Sequence, residues 1–114
     1  MQVATAVAVR NEPRSDLGFM AANAREASRF LKALAHPSRL LILGFLCEGE
    51  KSVTELERLL ALRQPTVSQQ LARLRSDGLV NTRRDGKTIH YSLASDDVRV
   101  LVDSVQRVFC RSCD

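Results

Sequence analysis

The sequence predicts a mainly α-helical domain carrying one β-hairpin. Three observations predict it. Apolar residues recur at helical spacing along most of the chain, as in Val67, Leu71 and Leu74 at i, i+4 and i+7. One strand-turn-strand pattern interrupts the helices, with Asp85-Gly86 as a type I′ turn signal, both central residues needing positive φ. Charge is concentrated on that helix and that hairpin. Residues 63–88 hold Arg63, Arg73, Arg75, Arg83, Arg84 and Lys87 against Asp77 and Asp85, and the other residues carry 11 charges of each sign. The whole net charge of +4 therefore sits there.

Residues 1–17 mix small and charged residues around Pro13 and are expected to form a mobile arm. Residues 18–114 are expected to be one domain. From about Phe19 to Ala35, Met20, Ala24, Ala27, Leu31 and Leu34 repeat at helical spacing, with Phe30 beside them. Pro37 opens a second helix, about 38–47, apolar nearly all round and so expected at the centre of the core. Ser52 with Glu55 forms a capping box for a short third helix whose core face is Val53, Leu56, Leu59 and Leu60. Ala61 to Gln64 make a turn, and Pro65 suits the first turn of the fourth helix. Gly78 ends that helix as a C′ glycine. Leu79 and Val80 open the hairpin, and Ile89, Tyr91 and Leu93 alternate with His90 and Ser92 on its second strand. Ser95, Asp96 and Asp97 begin a last helix, with the acids at its positive end. Val98, Leu101, Val102, Val105, Val108 and Phe109 form a broad apolar stripe on it. A domain this small closes only a modest core, so the stripe is expected to pair with a second copy. The layout is a winged helix-turn-helix, mainly α with a β-hairpin wing, dimerising through its terminal helices.

Short polar side chains on the fourth helix suit base edges: Thr66, Ser68, Gln69 and Gln70. Arg73 on the helix and Arg83, Arg84 and Lys87 on the wing suit phosphate. A localised basic patch of this kind is the electrostatic footprint of a partner such as double-stranded DNA. No run approaches the roughly 20 apolar residues of a membrane span. The opening residues make a poor signal peptide. Three cysteines, an odd number, fit a reducing compartment, and the protein is expected in the cytoplasm. There is no Gly-rich phosphate loop, no apolar carboxylate pair and no nucleophile-base set, so no enzyme and no cofactor are expected.

Five words carry a resemblance: Leu-Lys-Ala-Leu-Ala-His-Pro-Ser-Arg-Leu-Leu-Ile-Leu (31–43), Ser-Val-Thr-Glu-Leu (52–56), Val-Ser-Gln-Gln-Leu-Ala-Arg-Leu-Arg (67–75), Gly-Leu-Val (78–80) and Arg-Arg-Asp-Gly-Lys-Thr-Ile-His-Tyr-Ser-Leu (83–93). In this order they resemble the ArsR family of winged-helix repressors. The resemblance implies dimers that bind operator DNA and release it when an inducer binds. Metal-sensing members carry a Cys-x-Cys-type motif on the third helix, which here has no cysteine. Others use Asp, His and Glu on the last helix, which here has no histidine. His36 reads as a residue of the helix start or the core, and His90 as an exposed strand residue.

Cys47, Cys110 and Cys113 fall at the ends of the second and last helices. This resembles the BigR/SqrR persulfide-sensing branch, in which a cysteine on each of these helices forms a disulfide or polysulfide bridge. The branch places its first cysteine where this chain has Gly44; Cys47 lies one turn later. The implied pair is Cys47–Cys110 or Cys47–Cys113, with reactive sulfur species or oxidants as inducer. The alternative is a soft-metal or metalloid site for As(III), Sb(III) or Cu(I) built from the same three thiolates.

Overall fold

The structure, a computed structural model, describes residues 17–109. The expected arm, save Leu17, and Cys110 and Cys113 lie outside the described residues. The elements in order are α1 (Leu17–Leu34), α2 (Pro37–Leu46), β1 (Lys51–Ser52), α3 (Val53–Leu60), α4 (Gln64–Ser76), β2 (Val80–Asp85), β3 (Thr88–Leu93) and α5 (Asp96–Phe109). None of these helices is long and apolar enough to cross a membrane.

The core is built around α2, as its sequence predicts. Ile42, Leu43 and Leu46 are buried against Leu56 of α3, Val67, Leu71 and Leu74 of α4, and Val98 and Val102 of α5. Two expected core positions are not in it: Leu31 and Leu59 face solvent, as does Leu41 of α2. Among the described side chains of α1, the buried ones are Phe30, Ala33 and Leu34 in its last turns; Ala24 and Ala27 are exposed.

Local signals place the element ends. His36 caps α2, its Nδ1 accepting from the Ser38 amide at 3.3 Å. Ser52 and Glu55 form the reciprocal box on α3: Ser52 Oγ accepts from the Glu55 amide at 3.2 Å, and Glu55 Oε1 accepts from the Ser52 amide at 2.8 Å. The residue preceding α4 is Arg63, not Gln64, and it makes no side-chain cap; Pro65 sits in the first turn. At the other end Gly78 takes φ +77°, its amide bonds to Arg75 O, and the Leu79 amide bonds back to Leu74 O at 2.9 Å. Those two bonds make a Schellman motif, which turns the chain from α4 directly into β2.

The sheet has three strands, not two, in the order β1-β3-β2, all antiparallel. The two-residue β1 pairs Lys51 with Tyr91 and Ser52 with His90. The hairpin register is Val80↔Leu93 through Asp85↔Thr88. Its central turn residues are therefore Gly86 and Lys87. Only Gly86 has positive φ (65°), which is the II′ pattern and not the I′ turn expected over Asp85-Gly86.

Candidate nucleic-acid interface

Helix α4 is amphipathic because its three apolar residues repeat at helical spacing and are each fully buried. The opposite surface carries what the sequence assigned to contact. Thr66, Gln69 and Arg73 are exposed, at i, i+3 and i+7; Ser68 and Gln70 are half-buried on opposite flanks. Pro65 removes one of the first-turn amides, and the Thr66 and Val67 amides bond back to the Arg63 carbonyl at 3.1 Å, so the helix starts despite its lack of a side-chain cap.

Gln70 does not project freely. Arg39 of α2 donates from Nη1 to Gln70 Oε1 at 3.2 Å, from Nε to Ala33 O at 2.7 Å and from Nη2 to Lys32 O at 3.2 Å. One guanidinium thus ties the end of α1 to the flank of α4. Nothing in the sequence around Arg39 marks it for this role, since no local signal joins residues 31 positions apart.

The wing follows α4 through the Schellman turn. Arg83 and Arg84 alternate on β2 and so point to opposite faces of the sheet. Arg83 shares a row with His90, and Arg84 a row with Ile89. Arg83 is engaged: its Nη2 lies 2.7 Å from Glu50 Oε1 and its Nε 3.0 Å from Glu50 Oε2. Those bonds from Arg83 hold the Glu50 carboxyl below the usual carboxylate range. Among the described residues, Arg84 and Lys87 have no carboxylate within ion-pair distance, while Arg73 has Asp77 at 4.0 Å.

The sensor candidate resolves in part. Cys47 is half-buried at the end of α2, and its carbonyl accepts from Arg99 of α5. Burial pushes its thiol above the ordinary value; Arg99 opposes this, and Asp103 and Glu48 add to it. One turn back, α2 meets α5 at Gly44, where a Cβ would clash with Gln106 Nε2. Gly44 opposite Gln106 and Cys47 opposite Arg99 and Asp103 set the two helices antiparallel. No group of three or more His, Cys, Asp or Glu that could hold a metal occurs among the described residues. Separately, a cavity of about 200 Å³ lies between α1, the end of α4 and the start of α5, lined by Glu26, Arg29, Phe30, Asp77 and Val98 among others.

A family model described as bacterial regulatory protein, arsR family, matches residues 36–82, the span from the α2 cap into the wing. A biofilm growth-associated repressor of Agrobacterium fabrum is 48% identical over 91 residues, covering 80% of this chain and 78% of that protein. This chain belongs to the ArsR family of transcriptional regulators. A further relative, the transcriptional activator HlyU of Vibrio cholerae, is 43% identical, covering 82% of this chain and 86% of its own. The solved structure of the transcriptional repressor BigR from Xylella fastidiosa matches with a TM-score of 0.76 at 44% identity, over 82% of this chain and 95% of that one. A homodimeric winged helix-turn-helix DNA-binding domain from Mycobacterium bovis, a possible ArsR-family regulator, matches with a TM-score of 0.71 at 38% identity, over 78% and 82%. The winged helix-turn-helix expected from the sequence is the fold of this ArsR chain.

Proposed function

We propose that the chain is a homodimeric, cytoplasmic repressor that binds double-stranded operator DNA and releases it when its cysteines react with reactive sulfur species or oxidants. One observation carries the DNA-binding part: a polar outer surface on α4, backed by fully buried Val67, Leu71 and Leu74, leads directly into a basic wing. Two such helices in a dimer enter successive major grooves of a palindromic site. Thr66, Ser68, Gln69 and Gln70 face base edges, and Arg73, Arg84 and Lys87 hold phosphate, with Arg83 beside them on the wing. The repressor direction is supported by the repressors among the relatives, and the dimer by the homodimeric neighbour.

The release mechanism involves Cys47, Cys110 and Cys113. Two protein thiols and one persulfide yield a protein disulfide, a low-molecular-weight thiol and hydrogen sulfide. Cys47, held as a thiol by burial, suits the resolving role, and the attacking thiolate comes from the C-terminal pair beside Arg107 and Arg111. A covalent link from Cys47 to either C-terminal cysteine would tie α2 to the last helix, and because the later turns of that helix belong to the proposed dimer surface, the link would change the spacing of the two α4 helices.

Footprinting on DNA upstream of its own gene, with and without an organic persulfide, tests the reading. The reduced chain is expected to protect a palindromic site and the treated chain to release it. Gln69→Ala should weaken the upstream duplex more than a random one, and Lys87→Ala should weaken both equally. A reduced chain that prefers its upstream DNA no more than random DNA removes the repressor; a variant without thiols that still releases removes the sensor alone.

A further inference from the structure

We propose that Glu50 holds the wing residue Arg83 back from DNA, so that it acts as a built-in brake on sequence-independent affinity. The inference rests on the DNA-binding reading above and refines it for Arg83. The pair is not a local accident of sequence. Its members are 33 positions apart, and the sheet brings them together. Ser52, His90 and Arg83 form one row across β1, β3 and β2. Glu50 precedes β1 by one residue, on the side of the chain that Ser52 also takes, and reaches across β3 to the guanidinium.

The geometry is a fork. Both carboxylate oxygens engage two different guanidinium nitrogens, at 2.7 and 3.0 Å, which is the arrangement a phosphate would otherwise satisfy. Asp85, two residues on along the same strand, adds a second anion beside Arg83. The two neighbouring wing cations differ. Arg84 lies on the other face of the strand and Lys87 in the turn, and neither meets a carboxylate among the described residues. The linear charge tally over residues 63–88 therefore overstates the cationic field of the wing, because Glu50 stands outside that interval in sequence and inside it in space. Phosphate contact is left to Arg84 and Lys87. The side chains of Glu50 and Arg83 are 35% and 55% exposed, so the pair sits in water, and removing the carboxylate frees the arginine without opening a buried gap.

The test is a double-mutant cycle on the full chain, read by fluorescence anisotropy. The two probes are a labelled duplex from upstream of its gene and a random duplex of equal length, each titrated from 50 to 200 mM KCl. Removing a carboxylate near DNA also lifts a repulsion, so the cycle and not the single variant decides. Glu50→Gln is expected to bind both duplexes about three- to ten-fold tighter at the low end. It is also expected to steepen the log–log salt slope by about 0.9, the increment of one added phosphate contact. A slope change of that size shrinks the advantage about 3.5-fold by 200 mM. Glu50→Ala should do the same. In the Arg83→Ala background the steepening should vanish, and Arg83→Ala alone should leave the slope unchanged. The inference is overturned if Glu50→Gln leaves the slope unchanged, if it steepens the slope equally without Arg83, or if Arg83→Ala alone flattens it by a full contact. A wild-type chain that binds neither duplex overturns the DNA-binding reading as well.

Discussion

A thiol at the end of a helix is governed by what surrounds its sulfur. Cys47 lies among apolar neighbours, with Asp103 and Glu48 near it, and among the described residues only Arg99 favours its thiolate. Its folded pKa is raised, so the folded state retains the proton more tightly than the unfolded chain. The sign follows: this contribution to stability is complete below the ordinary thiol pKa and is lost as pH rises through the raised value. In a Cys110→Ser/Cys113→Ser chain, iodoacetamide labelling followed by mass spectrometry should accelerate only at a pH above that of a free cysteine. Arg99→Ala should delay it further. Ser52 works at the same scale. Its Oγ satisfies one amide of α3 and its own amide meets Glu55, a bond that lowers the Glu55 carboxyl. Ser52→Ala should lose about 1 kcal/mol in urea unfolding. The Glu55 half of the box should hold at neutral pH and fail as pH falls through the lowered carboxyl value.

Between elements, Arg39 is the joint that sets α4 against α1 and α2. Removing it leaves Gln70 Oε1 and the Ala33 carbonyl without this donor, while the Lys32 carbonyl keeps the Ala35 amide. Arg39→Ala should cost about 1–3 kcal/mol of stability and should reduce discrimination between operator and random duplex more than overall affinity. Arg39→Lys keeps the charge without the three-way fork and should not restore discrimination; anisotropy on both duplexes checks this. The joint also marks where the sequence stopped being legible. The α3 box, the buried face of α4 and the Gly78 stop were readable because each is a pattern within a few residues. The two residues of β1 are too few for a period, and they pair only because β3 passes beside them. Arg39–Gln70 and Glu50–Arg83 are likewise products of the fold. The hairpin turn moved by one residue because Gly86 takes the single left-handed position itself and leaves Asp85 in the strand. Leu31 and Leu59 follow the helical period yet stay outside, since periodicity finds a face and not what covers it.

For the whole molecule, the apolar stripe of α5 divides. Val98 and Val102 close the core of their own subunit, whereas Val108 and Phe109 are exposed, Phe109 by 80%. The expectation that the stripe serves a second copy therefore applies to the later turns, together with Leu31 of α1. The double variant Val108→Glu/Phe109→Glu should sediment as a monomer at micromolar concentration, with its helix content kept because Val98 and Val102 are untouched. Its affinity for a palindromic duplex should fall toward that of one half-site. A wild-type chain that already sediments as a monomer at that concentration would remove the dimer.

The short third strand has a mechanical consequence. Beyond the row of Ser52, His90 and Arg83 the hairpin has only two strands, so it behaves as a cantilever clamped at its root and unsupported at Gly86. Its stiffness should decline outward in one step, and amide hydrogens that exchange slowly at Val80 and Leu93 should exchange quickly from Asp85 to Thr88. Deflection without melting is what such a beam allows, letting its tip follow the uneven width of a groove while the root keeps its bearing.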